Sequence, residues 1–308
     1  MQGLARLAGP LIFGHDLDHS AAMFVATLFI LRAQNGMTLA QITCGGPRVR
    51  VALDRFGRLT LDLKPAKHMK ETLSAQLTLV DASVEIDARC VLGPIGLDLS
   101  FRRLGVVGRN GSGKSTLARL LAGLIAPAGG TCRLNGVDVY TDRRAALREV
   151  GILFQNPDHQ IIFPTVLEEV AFGLTQLGRK KAQAERDALA ILARFGKSDW
   201  ARSPVSTLSH GQKHLVCLMS IVAMAPKVLV LDEPFAGLDF PTKTQLSRYL
   251  RLFDGAVIHI SHDPGDLQDC ESVLWLEKGQ IARSGDTRRV LANYLDAIET
   301  LGAGDHIS

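Results

Sequence analysis

The chain has 308 residues, 46% of them apolar and 21% charged, which is an ordinary globular composition with enough chain for a substantial core. Its 35 Lys and Arg against 31 Asp and Glu leave a net charge of +4; residues 1–68 carry all of it, and the neutral remainder, lacking a basic patch, argues against nucleic acid as a partner. Five scattered cysteines with no C-x-x-C pair argue against a disulfide framework or a structural zinc site, and the longest apolar run, Ala21–Leu31, is eleven residues where a bilayer span needs about 20.

Residues 1–68 contain no glutamate and show neither sustained helical nor sustained strand periodicity. Asp16 and Asp18 stand where a secretion signal would be basic. Two readings remain for this segment. It is a true N-terminal extension with an interfacial anchor near Ala21–Leu31, or the start was assigned upstream and the working protein begins at Met69. The second is preferred, because a complete α/β pattern begins there. The expected domains are therefore an atypical segment, 1–68, and an α/β domain, 69–308.

From Met69 onward, strand and helix patterns alternate. Val80–Ile86 predicts a strand with Val80, Ala82, Val84 and Ile86 on one face, and Leu97–Phe101 and Leu104–Gly108 predict two more. A helix pattern runs from Lys114 to about Leu124, and Pro127-Ala-Gly-Gly130 breaks it. Strands follow at Thr131–Leu134 and Val150–Phe154, then helices at Val166–Leu177, Lys181–Phe195 and Gly211–Ala225. Val228–Leu231 is apolar enough to be a strand buried on both faces, and Ala256–Ile260 predicts a final strand. A helix, a hairpin across Gly279 and a C-terminal helix, Thr287–Leu301, complete an α/β domain with a largely parallel sheet.

Gly108-Arg109-Asn110-Gly111-Ser112-Gly113-Lys114-Ser115 fits G-x-x-x-x-G-K-[ST], after a strand and at the start of a helix. Glycines at these positions let backbone N–H groups turn inward around a phosphate, and the helix start adds its partial positive charge. Lys114 would reach the β and γ phosphates, and the Ser115 hydroxyl would face Mg²⁺. The buried strand Val228–Leu231 delivers Asp232 and Glu233 at its carboxyl end, where ligands gather in open parallel sheets. Asp232 is the candidate for holding Mg²⁺, Glu233 for orienting or deprotonating the attacking water.

Together these motifs resemble the ATP-binding-cassette ATPases over residues 76–290. Leu208-Ser209-His210-Gly211-Gln212 is similar to the family signature LSGGQ, with His210 in place of its first glycine. Gln155 resembles the glutamine that contacts Mg²⁺ and water, Ala236-Gly-Leu-Asp239 the D-loop, and His262 the switch histidine of the γ-phosphate. The resemblance implies a P-loop NTPase fold with a RecA-like parallel-sheet core, an antiparallel β subdomain and a helical subdomain carrying the signature. It implies ATP and Mg²⁺ held by residues 108–115, Thr116, Gln155 and Asp232. It also implies ATP hydrolysis by a dimer, with Ser209, Gly211, Gln212 and Asp239 reaching the nucleotide of a second subunit. One departure is that no aromatic lies between Val84 and Leu92, where the family stacks adenine; Ile86 takes that place.

Gln155-Asn-Pro-Asp158-His-Gln160, Thr165-Val and Glu169-Val-Ala-Phe-Gly173, with the spelling LSHGQK at Leu208–Lys213, resemble the energy-coupling-factor group of this family. That resemblance implies a peripheral subunit on the cytoplasmic face of the inner membrane. Its implied partners are a second ATPase (a copy or a related paralogue), a transmembrane coupling subunit and a substrate-binding membrane subunit, and its cargo is a vitamin, biotin first, or a transition metal ion. The ATPase of a conventional importer is the competing reading. A DNA-repair ATPase would need a long coiled-coil insertion, for which the 93 residues between Lys114 and Leu208 leave no room. A translation-type ATPase usually pairs two cassettes in one chain, and here there is one set of motifs.

Overall fold

The computed structural model describes residues 39–42, 49–53, 59–63, 74–251 and 253–303. Internal contacts divide the chain into residues 1–71 and 72–308. In the first unit, β1 (Leu39–Ile42), β2 (Val49–Leu53) and β3 (Leu59–Leu63) form an antiparallel sheet in chain order. The sequence predicts no strands here. Val49-Arg-Val-Ala-Leu53 and Leu59-Thr-Leu-Asp-Leu63 do carry apolar residues at alternate positions, but over only five residues each, too short to stand out. Ala21–Leu31 and Met69 lie outside the described residues.

The second unit opens with two long antiparallel strands, β4 (Ala75–Ile86) and β5 (Arg89–Phe101), joined at a tip where Asp87 and Ala88 both have positive φ, +50° and +59°. That is the left-handed geometry of a tight two-residue hairpin. The expected single apolar face of β4 is corrected by a register shift between Leu79 and Ala82, where Asp81 has φ +46°. Ala75, Leu77 and Leu79 are buried before it and Ala82 and Val84 after it, so the extra residue exchanges odd for even positions. Val80 and Ile86 are left 52% and 42% exposed.

Six strands form the central sheet, in the order β13-β12-β6-β11-β10-β9. They are β6 (Arg103–Val107), β9 (Val150–Leu153), β10 (Val228–Asp232), β11 (Ala256–Ser261), β12 (Ser272–Glu277) and β13 (Gln280–Asp286), all parallel except β13. A second, antiparallel sheet adds β7 (Gly129–Leu134) and β8 (Val137–Asp138) beside β4, in the order β5-β4-β7-β8. β10 shows why its sequence is continuously apolar: Val228 and Val230 enter one core with Leu104, Val106, Leu117 and Leu121, while Leu229 and Leu231 enter another. The first core holds α1 (Lys114–Leu121) against the sheet. The second is built with α3 (Val166–Gln176), α4 (Lys181–Arg194) and α5 (His210–Met224), through Val170, Leu174, Leu192, Leu215 and Leu218. This is the P-loop cassette fold, with a parallel core, an antiparallel subdomain and a helical subdomain.

Two helices escape the sequence patterns. α2 (Arg143–Glu149) is seven residues long and mostly charged, and α6 (Phe240–Leu250) buries only Leu246 and Leu250. Each starts on an aspartate cap, Asp142 accepting from the Ala145 N–H and Asp239 from the Thr242 N–H, both at 3.0 Å. The helix expected after Ile260 is only the 3₁₀ turn Pro264–Leu267; the C-terminal helix α7 runs Thr287–Ala303.

Candidate nucleotide site

The loop between β6 and α1 holds backbone shapes that a side chain would spoil. A Cβ on Gly108 would stand 2.3 Å from the Leu276 carbonyl oxygen, and Gly113, which precedes α1, has φ +101°. The Ser112 N–H donates to the Arg109 carbonyl at 3.1 Å, and the buried Ser112 hydroxyl has no partner. Lys114 folds back over the loop, its Nζ donating to the carbonyls of Gly108 at 2.8 Å and Arg109 at 3.1 Å. Arg109, Asn110 and Gly111 are exposed at the loop's rim, and Ser115 and Thr116 are half-buried on the first turn of α1.

Asp232 ends β10 and Glu233 follows in the left-handed region, at φ +51°, with its N–H donating to the Ile260 carbonyl at 3.0 Å. A glutamate held there costs of order 1 kcal/mol, and such strain collects at functional sites. The Ser115 hydroxyl donates to Asp232 Oδ1 at 3.2 Å, Lys114 Nζ lies 3.7 Å from Glu233 Oε1, and His262 Nδ1 lies 2.7 Å from Glu233 Oε2. One cluster thus joins the phosphate loop, the end of β10 and the residue after β11. Burial pushes the Asp232 carboxyl up, with Glu233 adding to it against the Ser115 hydrogen bond; burial lowers Lys114, opposed by Glu233 and Asp232. The glycine-shaped cradle and the orphaned Ser112 hydroxyl fit a triphosphate, and the paired Ser115 and Asp232 oxygens are the hard donors that suit Mg²⁺.

The remaining motif residues are elsewhere. Ser209 caps α5 in a capping box, its hydroxyl accepting from the Gln212 N–H at 3.3 Å while Gln212 Oε1 accepts from the Ser209 N–H at 2.8 Å. A Cβ on Gly211 would meet Thr242 Cγ2 at 2.3 Å, so the signature turn lies tight against the start of α6. Among the described residues no hydrogen bond or ion pair connects Ser209, Gly211, Gln212 or Asp239 to the Lys114–Glu233–His262 cluster. Gln155 is exposed just after β9.

The segment after Gln155 is ordered by residues whose roles lie in distant contacts. Gln160 bridges its own chain, accepting from the Phe154 N–H and donating to the Ile152 carbonyl, both at 3.2 Å. Buried Glu169 accepts the N–H groups of Ile162 and Phe163 at 3.0 and 2.9 Å. Lys213, one residue past the signature, pairs with Asp158 at 2.7 Å and ties α5 to this segment. The sequence names these residues as parts of spellings; their pairings span up to 55 residues and leave no local pattern.

Two histidines are buried neutral in this framework. Burial, with His210 beside it, pushes His214 down to about 4, the Gln155 backbone opposing weakly; burial does the same to His259, with Asp266 opposing. Both fall below the unfolded value near 6.5, so the stability they permit is complete above pH 6.5 and is lost as pH falls toward 4. Unfolding should therefore take up about two protons near pH 5. Urea melts from pH 7 to 4.5 measure this, and a His214→Gln, His259→Gln double variant should flatten the slope.

These observations define a P-loop nucleotide-binding cassette. The ABC transporter family matches residues 97–236. A biotin transport ATP-binding protein, BioM, of Rhodobacter capsulatus is 47% identical over 219 residues, 71% of this chain and 94% of that one. BioM of Rhizobium etli is 37% identical, covering 69% and 95%. The structure of CbiO1 from Clostridium perfringens, described as part of the ABC transporter complex CbiONQ, aligns with TM-score 0.59 at 25% identity over 74% of this chain and 95% of that one. The chain belongs to the ATP-binding subunits of ABC transporters, and as such it binds and hydrolyses ATP.

Proposed function

We propose that this chain is the energy-coupling ATPase of an energy-coupling-factor uptake transporter, with biotin as its cargo. The observation that carries this reading is the 47% identity running through 94% of a biotin transport ATP-binding protein. The Gln155–Gly173 segment and the LSHGQK spelling add to it. The subunit works at the cytoplasmic face of the inner membrane, beside a transmembrane coupling subunit and a substrate-binding membrane subunit. No described helix is long and apolar enough to cross a membrane.

In this reading the glycine loop 108–113 and the start of α1 receive the phosphates, and Lys114 exchanges the Gly108 and Arg109 carbonyls for the β and γ phosphate oxygens. Ser115, Asp232 and Gln155 would hold Mg²⁺, which neutralises charge on the phosphates when bound. Water attacks the γ-phosphorus, the bond to the ADP oxygen breaks, and Glu233 takes the water's proton. His262 holds the Glu233 carboxylate from outside and faces the γ-phosphate. Ser209, Gly211 and Gln212, with the outward N–H groups of α5, complete the site of a second subunit with Asp239 beside them. Closing two subunits on ATP and reopening them after hydrolysis moves the Gln155–Gln160 segment, which Lys213 ties to the signature helix.

The test is to tag the C-terminus, purify the protein from detergent-solubilised native membranes, and identify its companions by mass spectrometry. Two small membrane proteins, one retaining biotin, are expected. Large permeases would replace this reading with a conventional importer; recovery with ribosomes or DNA would overturn transport altogether.

A further inference from the structure

We propose that the cleft bounded by α6, β11 and the segment 265–271 is a binding site for a small organic acid, a monocarboxylate with an apolar body. This goes beyond the transport reading and does not depend on the cargo. The chain after β11 makes only the 3₁₀ turn Pro264–Leu267 in place of a full helix, and beside it lies a cleft of about 590 Å³, a size that suits a small molecule. None of Lys114, Ser115, Asp232, Glu233 and His262 lines it, so it is separate from the candidate nucleotide site.

Three features define the ligand. The first is an unmet polar atom: His259 of β11 lines the cleft, is only 9% exposed, and its Nε2 has no hydrogen-bond partner. A buried polar nitrogen ordinarily has one. Burial holds the ring neutral, so in its Nε2–H tautomer it can donate to an anion without adding charge. The second is an apolar surface beside it, made by Phe235, Leu250 and Val257, with the Phe235 ring edge-on to His259 at 5.5 Å. The third is charge. Lys243 and Asp266 neutralise each other as an ion pair, and Asp266 also accepts from the Ser261 hydroxyl at 3.2 Å. That leaves Arg102, Arg103 and Arg251 facing Asp269 and Glu271, and none of the three guanidiniums is in an ion pair among the described residues. Glu271 Oε2 is occupied by the Arg102 backbone N–H at 3.2 Å. An excess of one positive charge matches a monocarboxylate, and the two acids oppose a phosphate dianion.

The test is isothermal titration calorimetry on the full chain, with the nucleotide site filled by a non-hydrolysable ATP analogue and Mg²⁺. Octanoate is the probe, and octanamide, the same body without the charge, is its control. Octanoate should bind saturably at one site, and octanamide about tenfold more weakly or worse. Arg103→Gln and Arg251→Gln should together bring octanoate down to the octanamide level. Ser247→Phe, which sets a ring into the cleft from α6, should abolish binding of both. If that variant melts early, the two arginine variants carry the test, because Arg251 is exposed and Arg103 half-buried. No saturable binding up to about 10 mM octanoate overturns the proposal and leaves water as the occupant of the cleft. Octanoate and octanamide binding equally, or octanoate binding that survives the arginine variants, overturns it as well. Octyl phosphate binding more tightly than octanoate would overturn the choice of a monocarboxylate.

Discussion

Glu233→Gln should lower steady-state phosphate release by about a hundredfold or more while leaving ATP binding within a few-fold of wild type. The substitution keeps the size of the side chain and one oxygen, so a hydrogen bond to His262, now 2.7 Å from Glu233 Oε2, can persist. What disappears is the carboxylate proposed to take the water's proton. Charge moves in the opposite direction from damage. Asp232 and Glu233 are adjacent buried acids, and Glu233 contributes to the raised pKa of Asp232. Neutralising Glu233 relieves that repulsion, so Asp232 should ionise more readily, but it also removes the carboxylate that supports the Lys114 charge, and with the two effects opposed the fold should change little in stability. Phosphate release, binding of a fluorescent ATP analogue and a thermal melt separate these effects. Wild-type turnover in this variant would remove Glu233 from the reaction and leave His262 or Asp232 to be tested in its place.

The candidate nucleotide site is legible in the sequence where its geometry is local. Gly108–Ser115 specify a turn, a glycine-only backbone at Gly113 and a helix start within eight residues, so spacing alone carries the shape. β10 was legible because Val228–Leu231 face two cores at once and can tolerate no polar residue. The parts that stayed hidden depend on contacts between distant residues or on one inserted residue. Nothing near Val80 announces the register shift at Asp81, yet that shift decides which side of β4 is buried. Asp158 and Lys213 stand 55 positions apart and meet only when α5 packs beside the 157–159 turn. α6 escaped because two buried leucines in eleven residues make too weak a stripe. Adenine recognition was read as a departure at Ile86, and the hairpin there leaves that side chain partly exposed without an aromatic.

Lys114→Ala should weaken ATP binding about a hundredfold or more, because the Nζ that now bridges the Gly108 and Arg109 carbonyls is the buried cation of the phosphate loop. It should also disturb the protein without nucleotide, in a way that depends on pH. Lys114 offsets two buried acids: it lies 3.7 Å from Glu233 and opposes the upward shift of Asp232. Removing it leaves both carboxylates with no ammonium between them, at a cost of about 3 kcal/mol at neutral pH. Protonation of Asp232 relieves that cost. Its folded pKa is already raised by burial, and the loss of Lys114 raises it further. A group with a raised folded pKa contributes stability below its unfolded value, near 3.9, and that stability is lost as pH rises through the folded value. The difference between wild type and variant should therefore be largest near pH 8 and shrink toward pH 5. Unfolding draws protons onto His214 and His259 in both proteins, so that loss of stability toward pH 5 is shared and cancels in the difference. Paired urea melts of the two proteins at pH 8 and pH 5 measure the part that remains. A difference that does not change with pH would mean that Lys114 and the two carboxylates are not electrostatically coupled in the folded protein.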